Sequence, residues 1–215
     1  FYDFFLIDQD HCGVVIADVS GKGVPAALFM MRVKALLNQL LREDLSPDQV
    51  LARANDGLCE DNEAGMFVTV WLGVLDLRSG KLVYANGGHN PPLYRHADGS
   101  VEWMRDRSGL LLGSFEGVPY RVFERTMIRG DSLILYTDGV TEAMDASDHC
   151  YGDERLFQLV ERECDGYPAS VSGVIEEDVR AFAEGADQAD DITLLVLRYD
   201  GQENGPAASA AGNRG

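Results

Sequence analysis

Short apolar runs separated by polar turns predict a β-hairpin at the start of the chain. The runs cover residues 2–7 and 14–17, and a polar turn covers residues 8–13 between them. Each run has the length and the β-branched or aromatic residues that are typical of a strand. We therefore expect an antiparallel pair of strands here.

Helical periodicity follows this hairpin. Apolar residues recur at three- and four-residue spacing from residue 24 to 42, and Pro25 lies in the first turn, where a missing N–H costs little. A second helix is predicted from Ser46-Pro47 to about residue 58, and two more at residues 154–163 and 169–183.

The remaining apolar runs predict strands at residues 66–75, 81–85, 92–96 and 192–198. A second hairpin is predicted in which residues 121–127 pair with residues 132–136 around a turn at 129–131. The pattern between residues 97 and 120 is less clear. Helices in pairs beside antiparallel strands indicate an α+β layered domain.

The length and composition limit the number of domains that the chain can form. With 215 residues, 46% of them hydrophobic, the chain can bury one core. We expect one domain over residues 1–200 and a disordered Gly/Ala/Ser-rich tail over 201–215. No run of about 18 apolar residues and no leader pattern is present, so this segment predicts no membrane contact. Because the sequence starts at Phe1 inside a predicted strand, we interpret it as an N-terminally truncated fragment.

Charge and cysteine usage exclude some classes of function. A formal net charge of -18 argues against nucleic acid as a partner, because phosphate backbones bind surfaces rich in Lys and Arg. The cysteines at positions 12, 59, 150 and 164 form no C-x-x-C pair, which is typical of reduced thiols in the cytoplasm. None has an arginine six positions further on, so a cysteine-based phosphatase loop is excluded.

Aspartates at the ends of three predicted strands are the main candidate chemistry. Asp18 ends the run VVIA, Asp138 follows LILYT, and the pair Asp190-Asp191 precedes ITLLVL. Each alone is typical of an ordinary turn, as Asp-Gly pairs are. A fold that joined the three strand ends would create a carboxylate cluster, which stays ionised only beside cations. The combination favours a metal site.

Six motifs resemble the SpoIIE-type bacterial branch of the metal-dependent PPM (PP2C-like) protein serine/threonine phosphatases. They extend over residues 1 to about 199 and are FYDFF (1–5), DVSGKGVPAALFM (18–30), MFVTVWLGVLD (66–76), YANGGHNPPL (84–93), LILYTDGVTEA (133–143) and DDITLLVL (190–197). The resemblance implies an α/β/β/α sandwich of two antiparallel sheets flanked by helices, with metals at one edge.

The resemblance also implies the ligands of two Mn²⁺ or Mg²⁺ ions. Asp18 would bridge both, Asp138 and Asp190 would complete the first, and the Val19 carbonyl would bind the second. The family's further aspartate would stand immediately before Phe1, and Ser20 stands where larger relatives often carry a histidine. These two departures leave the second metal and the proton donor to the leaving group open.

Gly21 and Lys22 are the predicted phosphate contacts, because they lie in a glycine-rich turn that opens the first long helix. The alternative is that Lys22 is an exposed turn lysine. The turn is not a Walker A loop, since Ile16 and Gly23 occupy its required Gly and Ser/Thr positions. His89, a lone histidine in a Gly/Pro turn, is typical of a structural role and stays outside the predicted catalytic set.

The resulting hypothesis is a cytoplasmic, metal-dependent serine/threonine phosphatase. The resemblance implies a phosphorylated substrate protein, a STAS-type antagonist of an anti-sigma factor, and control by an upstream sensory or receiver domain. The alternative is a weakly active or inactive module of the same fold that acts as a regulated binding surface. A homodimer remains open.

Overall fold

A computed structural model describes residues 1–43, 45–60, 62–186 and 190–201 of the chain. Its strands are β1 (Tyr2–Leu6), β2 (His11–Val19), β3 (Val68–Asp76), β4 (Lys81–Gly87), β5 (Leu93–Arg95), β6 (Val101–Trp103), β7 (Phe123–Thr126), β8 (Ser132–Tyr136) and β9 (Leu194–Arg198). Its helices are α1 (Val24–Leu40), α2 (Pro47–Cys59), α3 (Asp153–Glu163) and α4 (Pro168–Phe182). Apart from Gly201, the tail predicted to be disordered lies outside these residues.

The strands form two antiparallel sheets that pack face to face. The first has the order β1-β2-β3-β4-β7, and the second has the order β6-β5-β8-β9. Helices α1 and α2 cover the outer face of the first sheet, and α3 and α4 cover the outer face of the second. The predicted α/β/β/α sandwich is confirmed.

The burial of strand β2 on both faces explains why its sequence is a continuous apolar run. Val15 and Ala17 pack against α1 and α2, whereas Val14 and Ile16 point into the layer between the two sheets. All four side chains are at most 2% exposed. A strand that is buried on both faces loses the polar alternation of a surface strand. Burial of each large aliphatic side chain stabilises the folded state by roughly 1.5–3 kcal/mol. The strand is therefore a rigid support for the residues at its end.

The predicted helices agree with the structure to within one or two residues at their ends. Helix α1 begins after Gly23, which has a φ of 80°, and Pro25 lies in its first turn. At the start of α2 the backbone N–H of Ser46 donates to Oε1 of Gln49 at 3.2 Å. No helix in the described part of the chain has the combination of length and apolar composition that a bilayer span needs.

The hairpin predicted over residues 121–136 is wrong. Strand β7 pairs with β4 in the first sheet, and β8 pairs with β5 and β9 in the second. The cause is Asp131, which is 2% exposed. Its carboxylate accepts hydrogen bonds from the N–H groups of Ile128 and Ala97, both at 2.8 Å, and from the hydroxyl of Tyr94 at 2.5 Å. The turn is therefore fastened to the second sheet, and the chain crosses between sheets there.

Candidate metal and phosphate site

Asp18 is the next-to-last residue of β2 and lies opposite Thr69 of β3. Beyond the ladder, the N–H of Ser20 donates to the carbonyl of Phe67, and the N–H of Phe67 donates to the hydroxyl of Ser20, both at 2.9 Å. These two bonds close the end of the strand pair before the Gly-rich turn begins. The backbone of Asp18 is thereby held at the rim of the first sheet, with its side chain half-buried.

Asp138 and Asp190 lie beyond the paired ends of β8 and β9 in the second sheet. Thr137 joins the two segments, because its N–H donates to the carbonyl of Thr193 at 3.1 Å and its hydroxyl accepts from the N–H of Thr193 at 2.9 Å. The same hydroxyl donates to the carbonyl of Asp191 at 3.1 Å. One threonine side chain thus fixes the turn at Asp138 against the segment that contains Asp190.

The pKa of Asp18 indicates that the three predicted ligands lie near one another. Burial raises the pKa of Asp18, and the charges of Asp138 and then Asp190 raise this pKa further. The amino group of Phe1 opposes them and lowers the pKa of Asp18. Like charges have this effect only at short range, so the two sheets deliver their aspartates to the same edge of the sandwich.

The site is polar and partly preformed. Within the described ranges, no three His, Cys, Asp or Glu side chains are gathered closely enough to hold a metal ion. However, Oδ1 of Asp138 is buried and has no hydrogen-bond donor among those residues. A buried carboxylate oxygen without a donor is costly unless a cation balances its charge. Carboxylates and the Val19 carbonyl are the oxygen ligands that Mg²⁺ and Mn²⁺ prefer, so the residues fit such a cation.

Lys22 lies on the rim of this site. Its side chain is 72% exposed, and its Nζ is 3.8 Å from Oδ1 of Asp190. The glycines on either side, Gly21 and Gly23, have φ angles of 81° and 80°, which carry the chain from the end of β2 into α1. An exposed ion pair of this kind contributes about 1 kcal/mol or less to the stability of the fold. The structure places Gly21 and Lys22 beside the acids.

His89 lies outside the predicted catalytic set, and the structure shows that it contacts the strand pair that carries Asp18. It is 6% exposed, and its Nδ1 lies 2.8 Å from the hydroxyl of Thr69, the residue opposite Asp18. Burial lowers its pKa to about 3, so the ring is neutral at physiological pH. The GGHNPP segment marked this histidine, but nothing in the sequence indicated its burial.

A groove of about 1050 Å³ opens beside the acids, next to α4. Its lining includes Gly139, Glu142, Met144, Glu176, Asp190 and Ile192. This volume is at the upper end of small-molecule pockets, and a segment of another protein can fill it. The groove therefore gives a large partner a contact surface next to Asp190.

Comparison with known families and proteins agrees with this geometry. The family model described as stage II sporulation protein E (SpoIIE) matches residues 8–200. The phosphoserine phosphatase RsbU of Bacillus subtilis is 28% identical over 197 residues, which are 92% of this chain and 58% of RsbU. This chain therefore spans little more than half the length of that relative.

Solved structures show the same fold. The structure of the RsbU and RsbW domains of Rv1364c from Mycobacterium tuberculosis superposes with a TM-score of 0.76 at 25% identity, covering 94% of this chain and 56% of that one. The SiaA-PP2C domain of Pseudomonas aeruginosa superposes with a TM-score of 0.80 at 21% identity, covering 93% of this chain and 80% of that one. The second likeness concerns the fold alone.

Proposed function

Because this chain belongs to the SpoIIE family of PP2C-type phosphatase domains, we propose that it is a metal-dependent phosphatase that hydrolyses phosphoserine or phosphothreonine on a partner protein. The observation that carries the proposal is the buried Oδ1 of Asp138, which has no hydrogen-bond donor in the described part of the chain, together with Asp18, whose pKa is raised by burial and by the charges of Asp138 and Asp190. A phosphatase of this kind needs such an acidic edge, since phosphoryl transfer depends on cations that neutralise the phosphate.

Asp18, Asp138, Asp190 and the Val19 carbonyl would hold two divalent ions, Mn²⁺ or Mg²⁺. Bound there, the ions supply charge stabilisation for the phosphoryl oxygens and an acidified water. The protein keeps the acids at fixed positions: β2 is buried on both faces, and Thr137 ties the turn at Asp138 to the segment before β9.

Lys22 and Ser20 have different roles in this proposal. Lys22 attracts the phosphoryl group from the rim, because its ammonium is exposed and lies at the turn that leads into α1. The hydroxyl of Ser20 accepts the N–H of Phe67 and so supports the strand end. In this proposal Ser20 has a structural role at the strand end, and a water molecule would protonate the leaving oxygen.

The proposed substrate is a folded phosphoprotein of STAS type. RsbU, which is 28% identical to this chain, is named a phosphoserine phosphatase, and this name supports a phosphoserine substrate. The groove beside Asp190 supports a protein substrate, because the acids lie at an open edge of the sandwich where a small phosphate ester alone makes few contacts. The alternative, a binding module without catalysis, predicts no metal-dependent turnover.

Hydrolysis of p-nitrophenyl phosphate with and without Mn²⁺ tests the proposal. We expect turnover that EDTA abolishes and that Asp18→Asn reduces on the order of 10³-fold, equivalent to about 4 kcal/mol of transition-state stabilisation. Asp76→Asn is the matched control, because Asp76 also ends a strand but caps the turn at Arg78 and Ser79. Metal-independent turnover, or equal rates for both variants, would contradict the proposal.

A further inference from the structure

The groove beside the acids has two walls. One wall is the turn after β8, where the N–H of Glu142 donates to the carbonyl of Asp138 at 2.7 Å. The other wall is the face of α4 that includes Glu176 and Glu177. Asp190, a proposed metal ligand, lines the groove itself. A segment of another protein that binds in this groove therefore lies directly beside the acids.

The residues before and within α3 hold the two walls together. The N–H of Tyr151 donates to the carbonyl of Ala143, the neighbour of Glu142, at 2.8 Å. The hydroxyl of Tyr151 donates to Oδ2 of Asp178 on α4 at 2.6 Å, and Arg155 forms an ion pair with the same carboxylate at 2.9 Å. The spacing of the walls is thus set by contacts within the protein.

The groove is long enough for a short peptide segment. Its α4 wall extends from Ser172 to Ala181, which is about 14 Å at 1.5 Å per residue. An extended chain advances about 3.3 Å per residue, so about four residues fit along this wall. Met144 and Ile192 also line the groove and are each 39% exposed. They offer apolar contact area to the bound segment.

The groove is strongly acidic. Arg180, the basic residue of its described lining, already pairs with a glutamate one turn earlier in α4. Within the described ranges no three carboxylates gather closely enough to hold a metal ion, so the charges are spread along the groove. A cleft lined by one sign of charge attracts the opposite charge, and spread carboxylates match cationic groups spaced along a chain. The lining carboxylates are those of Glu142, Glu176, Glu177, Glu184 and Asp190.

We infer that the groove binds a basic segment of the substrate protein, in which lysine or arginine side chains flank the phosphorylated residue. This inference rests on the proposed function and specifies its substrate class. The phosphoryl group lies at the acids beside Lys22, and the flanking cationic side chains pair with Glu142 and Glu177. Apolar side chains of the segment pack on Met144 and Ile192. Acidic flanking residues are repelled by the same carboxylates, so the groove selects among phosphoproteins by charge.

Three phosphoserine peptides of equal length test this selection. They carry lysine, alanine or glutamate at the three positions on each side of the phosphoserine. With Mn²⁺ present, we expect kcat/KM for the lysine peptide to exceed that for the alanine peptide by about 10-fold, and the glutamate peptide to be the poorest substrate. Equal kcat/KM values for the three peptides, or a preference for alanine or glutamate, would overturn the inference.

A charge-matched pair of double variants assigns the preference to the groove. Glu142→Gln with Glu177→Gln removes two groove carboxylates and should reduce the lysine preference at least about 3-fold. The control is Glu161→Gln with Glu163→Gln, which removes two exposed carboxylates from α3, outside the groove lining. This control should keep the full preference. An equal reduction in both double variants would show that net charge alone attracts lysine, and would refute the inference.

Binding without catalysis separates the inference from the proposed function. The probes are fluorescein-labelled, unphosphorylated versions of the lysine and glutamate peptides, and fluorescence anisotropy gives their Kd for the metal-free protein. We expect tighter binding of the lysine peptide, and weaker binding of it by the groove variant than by the control. If this result holds while no phosphopeptide is hydrolysed, the proposed function is wrong and the basic-segment groove stands. Hydrolysis with no lysine preference in binding or turnover would reject the groove and leave the phosphatase assignment intact.

Discussion

Gly139 packs so closely on Asp191 that a Cβ at position 139 would stand 2.5 Å from the Asp191 carbonyl oxygen. The turn after Asp138 and the segment containing Asp190 therefore touch backbone to backbone. Only glycine permits this approach, because any side chain would force the two segments apart. The contact works together with the Thr137 hydrogen bonds to set where two of the three acids lie.

Gly139→Ala should consequently damage both stability and metal binding. We expect a loss of about 1–3 kcal/mol in the free energy of unfolding, typical of an overpacked site, and weaker Mn²⁺ binding. Gly173→Ala, in the open middle of α4, is the control and should stabilise by about 0.5–1 kcal/mol. Urea unfolding and Mn²⁺ titration measure the two effects. Tight Mn²⁺ binding by Gly139→Ala would show that the contact is irrelevant to the site.

Lys22→Met should affect substrate binding more than stability. Its ion pair with Asp190 is exposed, so the free energy of unfolding should change by about 1 kcal/mol or less. We expect KM for p-nitrophenyl phosphate to rise about 5- to 10-fold with little change in kcat, the pattern for loss of uniform binding. Lys81→Met, which removes a pair with Glu124 at the far end of β4, should leave KM unchanged. A fall in kcat alone would assign Lys22 a different role.

A carboxylate placed before Phe1 should strengthen the site. The amino group of Phe1 donates to the Ala17 carbonyl at 2.8 Å. Burial lowers the pKa of this amino group, and the charges of Asp18 and Asp191 oppose that lowering. A residue added there enters the acidic edge. Extending the chain by one aspartate should tighten Mn²⁺ binding about 10-fold or more relative to extension by alanine, because an added charged ligand raises cation affinity. Equal affinities in calorimetry would remove this position from the ligand set.

A folded partner should be a better substrate than a short peptide. We expect kcat/KM for a phosphorylated STAS-type protein to exceed that for a phosphopeptide of the same sequence by at least about 10-fold, since remote contacts contribute binding energy. Met144→Gln, in the groove beside Asp190, should reduce this advantage and leave hydrolysis of p-nitrophenyl phosphate unchanged. Similar kcat/KM values for protein and peptide would mean that no docking surface contributes.

The buried ring of His89 predicts a loss of stability in weak acid. In the unfolded chain this histidine titrates near 6.5, whereas burial lowers its folded-state pKa to about 3. Between these values the unfolded state binds a proton that the folded state does not, so stability falls as pH falls. The loss should approach about 1.4 kcal/mol per pH unit below about pH 6. Urea unfolding across this range should show a smaller slope for His89→Gln, and an unchanged slope would contradict this account.

Local pattern predicted most elements of the fold, because hydrophobic periodicity and turn residues act over a few positions. The helices and the β1–β2 hairpin followed directly from such signals. These signals did not predict that the chain crosses from the first sheet to the second at residues 127–131. The crossing depends on hydrogen bonds from Tyr94 and Ala97 to Asp131, and both residues are distant from Asp131 in sequence. Strand β6 is three residues long and half-buried, too short for a periodic signal.

The sequence predicted some residues of the candidate site and gave no sign of others. Asp18, Asp138 and Asp190 share one sequence context, an acid at the end of an apolar run, and this context indicated their association. No sequence signal distinguishes Thr137 or Gly139, because an Asp-Gly turn is common in any protein. The sequence does not indicate that His89 is buried, because burial of one polar residue is a property of the assembled fold.

The position of β9 has a consequence for folding kinetics. Helices α3 and α4 separate this strand from its partner β8 in the chain, so Asp190 is brought toward Asp18 by the pairing of distant segments. Contacts between such distant residues form slowly, because loop-closure entropy is lost before the contacts repay it. A nascent chain that lacks β9 can complete the first sheet but cannot assemble the three acids, so catalytic competence should arise as the last event of folding.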